Sequence, residues 1–362
     1  MREEGYIRGL FSYYYEKNPI HVDEVGKREF GFGGWDKKIE SRHMHFSTDT
    51  ELMRALKNER PLYVSRSAAY YEFPDARPME RKGWLGCDLI FDLDAEHHAC
   101  GKFTCPPCLQ KVKNETIKLI EDFLMPDFGV SRNDINIVFS GSRGYHVHVF
   151  DRAYRKLWKD ERREIADYAG GTGISYEHFF GKRGKLFSGP APSEGGYGGK
   201  FAREVIKRLE NEEFASYLST KLKKKENRDM FIRGIEKGDW ERVHIAKKDE
   251  KFAKLFNEIV GGLSCDIDVN VTADISKLIR LPFSLHGGTG MIAAPVKDID
   301  KFDPMADAIV FSDRPVSIRM NEDAPKITMK GVDYGPYKKE GTAEVPEHLA
   351  VYLICKKAAI LE

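Results

Sequence analysis

No stretch of this chain is apolar for long enough to span a bilayer, and its first residues, Met1-Arg2-Glu3-Glu4-Gly5, carry no apolar leader. Neither a membrane protein nor an exported one is expected; the expected compartment is the cytoplasm, with no membrane partner. An excess of one charge is missing too. The 58 Lys and Arg against 57 Asp and Glu leave a net charge of +1, so a polyanion has to be held by a local basic patch. Internal repeats and long low-complexity tracts are absent, which excludes solenoids and disordered scaffolds. Cysteine is sparse and unevenly spread: of six, Cys100, Cys105 and Cys108 crowd together, while Cys87, Cys265 and Cys355 sit in apolar segments. In a reducing compartment that distribution reads as one metal site plus three small core residues, not a disulfide framework.

What is present is a globular composition, 41% hydrophobic and 32% charged over 362 residues, enough for one large or two ordinary domains. An aromatic amphipathic stretch, Leu10 to Tyr15, predicts a helix, and hairpin-like segments follow at Arg28 to Phe32 and Arg42 to Phe46. Residues 84–94 predict a strand, Lys111 to Phe123 a helix, and Ile135 to Ser140 a strand that turns through Gly141-Ser142-Arg143-Gly144 into Tyr145 to Phe150. Composition shifts at about residue 155. From there to about 255 the chain is rich in Lys, Arg and Glu, with a Gly/Pro/Ser interruption at 188–199, and reads as short helices inserted into the sheet domain. Strand character returns at Cys265 to Thr272 and at Met291 to Val296, and Pro346 to Ile360 predicts a final helix.

The most informative segment is Cys87-Asp88-Leu89-Ile90-Phe91-Asp92-Leu93-Asp94. In a strand Cys87, Leu89, Phe91 and Leu93 share one face, and Asp88, Ile90, Asp92 and Asp94 the other. Neighbouring acids on a core wall repel one another and lose solvation unless a cation sits between them, which makes a divalent metal the economical reading. Cys265 to Thr272 repeats the logic with Asp266, Asp268, Asn270 and Thr272 on one face. If the two strands are neighbours, Asp92, Asp94 and one of Asp266 or Asp268 converge on a site whose hard oxygens suit Mg²⁺ or Mn²⁺. An exposed polar sheet face would also carry such acids, and a single Asp-x-Asp would favour that reading.

The turn from Ser140 to His146 adds glycines that let a backbone approach a ligand, a bidentate fork in Arg143 and a second donor in His146, with His148 on the same face in at most a supporting part. Arg280-Leu281-Pro282-Phe283-Ser284-Leu285-His286-Gly287-Gly288 joins another arginine and histidine to a second glycine-rich turn. Carboxylates for metal with Arg, His and Gly for a triphosphate are what nucleotidyl transfer requires. Cys105-Pro-Pro-Cys108 presents two thiolates to one tetrahedral ion, which His98 (or His97) and Cys100 can complete; the site reads as structural zinc.

These residues, in this order, resemble the small catalytic subunit of archaeal and eukaryotic DNA primase, and most closely the archaeal form. The resemblance covers most of the chain through Arg28-Glu29-Phe30, Phe91 to Asp94, the Cys/His knuckle, Ser140 to His146, Asp268 to Val271, and Pro282 to His286 ahead of Thr289-Gly290. It implies a primase-type α/β fold, a mixed β-sheet flanked by helices. A catalytic domain would span 1–155 and 256–362, with a zinc knuckle at about 97–108 and a mostly helical insertion at 156–255. It implies that Asp92, Asp94 and Asp268, rather than Asp266, hold the catalytic metals. It implies that Ser140, Arg143, His146, Arg280 and His286 bind the incoming nucleotide, with Glu29 and Arg42 at its border. The implied reaction is synthesis of short RNA, or also DNA, primers on single-stranded DNA from NTPs or dNTPs, with a large iron–sulfur-containing subunit as partner. A repair polymerase or a metal-dependent nuclease would share the carboxylates, though a nuclease has less need of four triphosphate-binding cations. A zinc-dependent nucleic-acid binder would tolerate loss of the aspartates.

Overall fold

The computed structural model describes residues 2–95, 101–183, 186–241 and 250–362. The chain divides into two compact units, one of Met1–Ile117, Ser131–Arg163 and Ile267–Glu362, the other of Lys118–Val130 and Glu164–Asp266. The composition change at about 155 thus precedes the boundary, and the second unit also takes in an earlier segment.

In chain order the strands of the first unit begin with β1 (Phe30–Gly33), β2 (Ser41–Met44), β3 (Tyr63–Ser67), β4 (Ala69–Tyr71), β5 (Trp84–Cys87), β6 (Leu89–Asp94), β7 (Ile135–Phe139) and β8 (Gly144–Val149). The second unit carries a hairpin of β9 (Gly181–Arg183) and β10 (Leu186–Ser188). The first unit then resumes with β11 (Leu278–Arg280), β12 (Pro295–Val296), β13 (Pro315–Met320), β14 (Ile327–Met329), β15 (Val332–Tyr334), β16 (Thr342–Pro346) and β17 (Ala359–Leu361). Two four-stranded sheets, β11-β3-β1-β2 and β12-β7-β8-β6, form its centre, with a three-stranded β16-β13-β17 sheet nearer the C-terminus. Every described pairing is antiparallel, so the α/β architecture is made of separate antiparallel sheets, not the single mixed sheet expected.

The first helix, Arg2–Lys17, buries Ile7, Phe11, Tyr14 and Tyr15, one stripe at helical spacing. The expected strand over 84–94 is broken at Asp88, where the chain leaves the β4–β5 hairpin and enters the β6–β8 ladder. Backbone groups exposed by that break are satisfied by Arg162, whose guanidinium donates to the Cys87 carbonyl at 2.6 Å and to that of Asp88 at 3.0 Å. The Asp88 carboxylate is itself buried. It accepts from Arg28 at 2.8 Å and from the Tyr70 hydroxyl at 2.7 Å, with Arg66 at 3.6 Å. Asp88 is therefore spent on the scaffold, unlike the two aspartates that follow it.

Three further expectations need correction. Cys265 to Thr272 is not a strand: Asp268 caps a one-turn helix, Val269–Ala273, because its carboxylate captures the N–H groups at the helix start. The last helix runs only over Glu347–Cys355, since Lys357 takes a left-handed φ of 56° and redirects the chain into β17. Of Met291 to Val296, only Pro295–Val296 pairs as a named strand. No helix among the described residues is long and apolar enough to cross a membrane.

The second unit contains the helices Gly196–Arg208, Glu212–Leu218, Lys225–Ile235 and Glu250–Leu263. Its core is aromatic: the Phe201 ring lies 4.7 Å from Phe256 and 5.8 Å from Trp240.

Candidate active site

The alternation along β6 buries Phe91 and Leu93 and turns Asp92 and Asp94 to the other face, where Asp94 is exposed. Asp92 pairs across the ladder with His146, and its Oδ1 lies 3.6 Å from His146 Nε2. Asp268 reaches Asp92 from outside the sheet. Its backbone N–H donates to the Asp92 carbonyl at 3.0 Å, while its Oδ1 accepts from Asn270 N–H at 2.9 Å and Val271 N–H at 3.2 Å. Cap and docking hydrogen bond thus fix one aspartate beside the other. Burial, and then the charge of Asp268, push the Asp92 carboxyl up to about 6. Asp94 Oδ1 instead accepts from Ala95 N–H at 3.1 Å. Asp266 falls in the second unit. Among the described residues no three His, Cys, Asp or Glu side chains stand together as a metal-holding group.

The two glycine turns meet. Gly141 has a φ of 81°, and a Cβ there would lie 2.8 Å from His286 Cβ, so only glycine allows the approach. Thr289 Oγ1 donates to the Gly141 carbonyl at 2.5 Å, and Ser140 Oγ accepts the Gly144 N–H at 3.2 Å. His286 Nδ1 accepts from Gly288 N–H at 3.1 Å, which leaves Nε2 to carry the ring proton and act as a donor. Burial drives His286 well below the usual imidazole range and His146 down to about 3, so both are neutral at physiological pH.

Arg280 projects from β11 with its guanidinium 5.0 Å from the Tyr63 ring, and its Nη1 is buried without a hydrogen-bond partner. Arg143 Nη2 donates to the carbonyls of Gly101 at 2.5 Å and Lys102 at 2.9 Å, while its Nη1 is likewise buried and unpartnered. Two cations each hold an unused donor, as an anion site would require. Glu29 is wholly buried, accepting from Arg42 Nε at 2.8 Å with Lys82 Nζ 3.4 Å away, so it reaches the site only through Arg42. Arg42 also donates to the Ser276 carbonyl at 3.0 Å, which ties it to the loop after the Asp268 helix.

Sequence reasoning passed over three lysines. Lys277 and Lys38 both act to lower the Asp92 carboxyl, and Lys277 precedes Arg280 by three residues, a hint that was available. Lys356 follows the apolar final helix with no motif around it. It is 9% exposed and is pushed down to about 8, first by burial and then by the charge of Arg143.

Cys105 and Cys108 stand at the start of the helix Pro106–Lys118 with their sulfurs 3.0 Å apart; Cys105 is a free thiol but Cys108 is disulfide-bonded, a departure from the expected pair of metal-binding thiolates. The other two expected zinc ligands, His98 and Cys100, and the alternative His97, lie outside the described residues.

Acidic groups at a strand end, together with arginines and neutral histidines carried by β8, β11 and two interlocked glycine turns, suit an enzyme that transfers nucleotidyl groups. A family model described as DNA primase small subunit matches residues 91–298. The "DNA primase small subunit PriS" of Methanococcoides burtonii is 37% identical, over 99% of this chain and 98% of its own length. Proteins of the same name from Methanosarcina mazei and Archaeoglobus fulgidus are each 35% identical, covering 99% and 97% of this chain and 96% of their own lengths. A solved polymerase domain of Mycobacterium tuberculosis Ligase D, in complex with DNA, matches at a TM-score of 0.35 and 12% identity over 82% of this chain and 83% of its own, too distant to bear on mechanism. The chain belongs to the DNA primase small subunit family.

Proposed function

We propose that primer synthesis takes place at the edge formed by Asp92, Asp94 and Asp268. The activity is that of the family: this is the catalytic primase chain, a DNA-directed nucleotidyltransferase that makes RNA primers in replication. What carries the location is the docking of Asp268 on Asp92, which sets two carboxylates together against the grain of their own repulsion.

The donor set fits a hard divalent cation. Asp268 spends one carboxylate oxygen on its helix cap and keeps the other, and Asp94 stands exposed at the end of β6. Mg²⁺ or Mn²⁺ held there would neutralise charge on the attacking and leaving oxygens. The chain's own work is alignment. Arg143 and Arg280 offer their unused Nη1 donors to phosphate oxygens, and His286 offers Nε2. A neutral His146 stands 3.6 Å from Asp92 without adding a charge that would compete with a metal. Ser140 holds the turn closed, and Arg42, oriented by Glu29, borders the cluster.

Zinc belongs to the same proposal and requires Cys108, disulfide-bonded in this structure, to be reduced: the thiolates of Cys105 and Cys108, one helical turn apart, would then suit the ion, with His98 and Cys100 as the remaining ligands. Single-stranded DNA as template and a large subunit as partner belong to it too. The test is incubation of the purified chain with labelled NTPs, single-stranded template and Mg²⁺ or Mn²⁺. Wild type is expected to give oligomers, and a folded Asp92→Asn protein none. Oligomers from the variant within severalfold of wild type, or cleavage of the template instead of synthesis, would overturn the assignment.

A further inference from the structure

The sheet face that carries Asp92 and His146 continues into a groove for which the triphosphate cluster has no use. Along β8, His146 stands opposite Asp92 and Val138, and His148 opposite Ile90 and Asn136. Phe150 follows two residues later, so the three rings step away from Asp92 along one face, with centroids 6.2 Å and then 6.0 Å apart. The His148 and Phe150 rings are stacked at 6.0 Å with only 8° between their planes. Around them opens a groove of about 470 Å³, within the size range of nucleotide-sized ligand sites. Its rim carries the exposed cations Arg132 and Lys297 and the exposed amide of Asn136. Phe283, 46% exposed, overhangs it at a left-handed φ of 65°.

A second observation points to a ligand. His148 is 1% exposed, yet neither of its ring nitrogens has a hydrogen-bond partner. A buried imidazole left without a bond at either nitrogen is costly unless something that visits the groove supplies one. Aromatic faces, amides and cations together are the chemistry that receives a nucleotide's base and phosphate.

We propose that this groove holds the 3′-terminal nucleotide of the strand being extended. The proposal rests on the placement of nucleotidyl transfer at Asp92. In-line displacement puts the attacking hydroxyl and the leaving pyrophosphate on opposite sides of the reacting phosphorus. Arg143 lies in the turn before β8, at the end where Gly144 pairs with Asp94, and the groove opens at the other end, past His148. Asp92 and His146 sit between the two. Triphosphate on the Arg143 side therefore leaves the groove side for the strand that attacks. The base of the terminal nucleotide stacks on Phe283, its phosphate meets Lys297 and Arg132, and the orphaned His148 gains its partner.

The test uses Phe283→Ala and Lys297→Ala, both at exposed positions that supply neither a carboxylate nor a triphosphate donor. On the full chain, three quantities are measured: the KM for an RNA primer annealed to DNA template, the KM for NTP, and the affinity for unprimed single-stranded DNA. Each variant is expected to raise the primer KM by about tenfold, the usual scale for removing a base-stacking or phosphate contact. The NTP KM and unprimed affinity should stay within about twofold. An unchanged primer KM would overturn the proposal. A parallel loss of affinity for unprimed DNA would also overturn it and give the groove to the template. Failure of wild type to polymerise at all would instead strike the Asp92 assignment on which the groove depends.

Discussion

Replacing Lys356 by Met tests whether the fold stores electrostatic strain for nucleotide binding. The ammonium is almost fully buried, lies 5.5 Å from the Tyr352 ring, and is repelled by Arg143 and Lys102. Its proton affinity falls from an ordinary 10.5 to about 8. Each decade in a proton equilibrium is worth about 1.4 kcal/mol, so holding this charge in the folded apo protein costs about 3 kcal/mol. The sign follows from linkage. Below pH 8 the lysine is charged in both states and the cost is present in full. Between about 8 and 10.5 the unfolded chain holds more protons than the folded one, so wild-type stability gains from this residue as pH rises. Lys356→Met removes the charge and retains much of the apolar stem. Urea unfolding at pH 7 should find the variant about 1–3 kcal/mol more stable, part of the gain being offset by the lost ring contact. The difference should shrink steadily towards pH 10. The same variant should bind nucleoside triphosphate more weakly, because the anion is what relieves Lys356 and Arg143 of one another. A stability difference that stays flat from pH 7 to 10, or a variant less stable at pH 7, would refute the reasoning.

Asp268 has two duties that substitution can separate. Asn caps a helix as well as Asp, so Asp268→Asn should keep the melting temperature and abolish primer synthesis, whereas Asp268→Ala should also lose about 1 kcal/mol of stability; calorimetry with a primer assay decides. Asp88→Asn leaves Arg28 and Arg66 buried without a counterion and should cost about 3–5 kcal/mol in urea titration, without a selective change in NTP KM. Cys105→Ser should lower both zinc content and melting temperature, since metal binding is linked to folding of the loop; protein purified without chelators that holds no zinc by elemental analysis would sink the site. Arg143→Ala should raise the NTP KM by one to two decades, about 1.5–3 kcal/mol for a charge-assisted contact, and leave single-stranded DNA affinity nearly unchanged.

The elements legible in the sequence are those where one periodicity dominates. The β6 alternation, the turn into β8, the aromatic first helix and the β1–β2 hairpin all stand where their patterns put them. Cys265 to Thr272 misled because perfect alternation over eight residues says nothing about whether a neighbouring strand exists to pair with. An aspartate whose carboxylate can reach the N–H groups two and three residues on competes with extension at once, and here it prevailed. That outcome sets Asp268, and not Asp266, beside Asp92 on grounds no strand argument offered. A cap residue has its backbone N–H unused by the helix, and Asp268 spends it on the Asp92 carbonyl, so the turn that breaks the strand is also what brings the second carboxylate to the first. Lys356 was invisible for the opposite reason. A lone lysine after an apolar helix has no local pattern to read, and it becomes informative only once the fold has buried it near Arg143. Motif residues announce the chemistry, whereas the charges that tune it are set by tertiary placement. A reading from motifs alone therefore finds the groups proposed here to meet phosphate and misses the buried cation that stands near one of them.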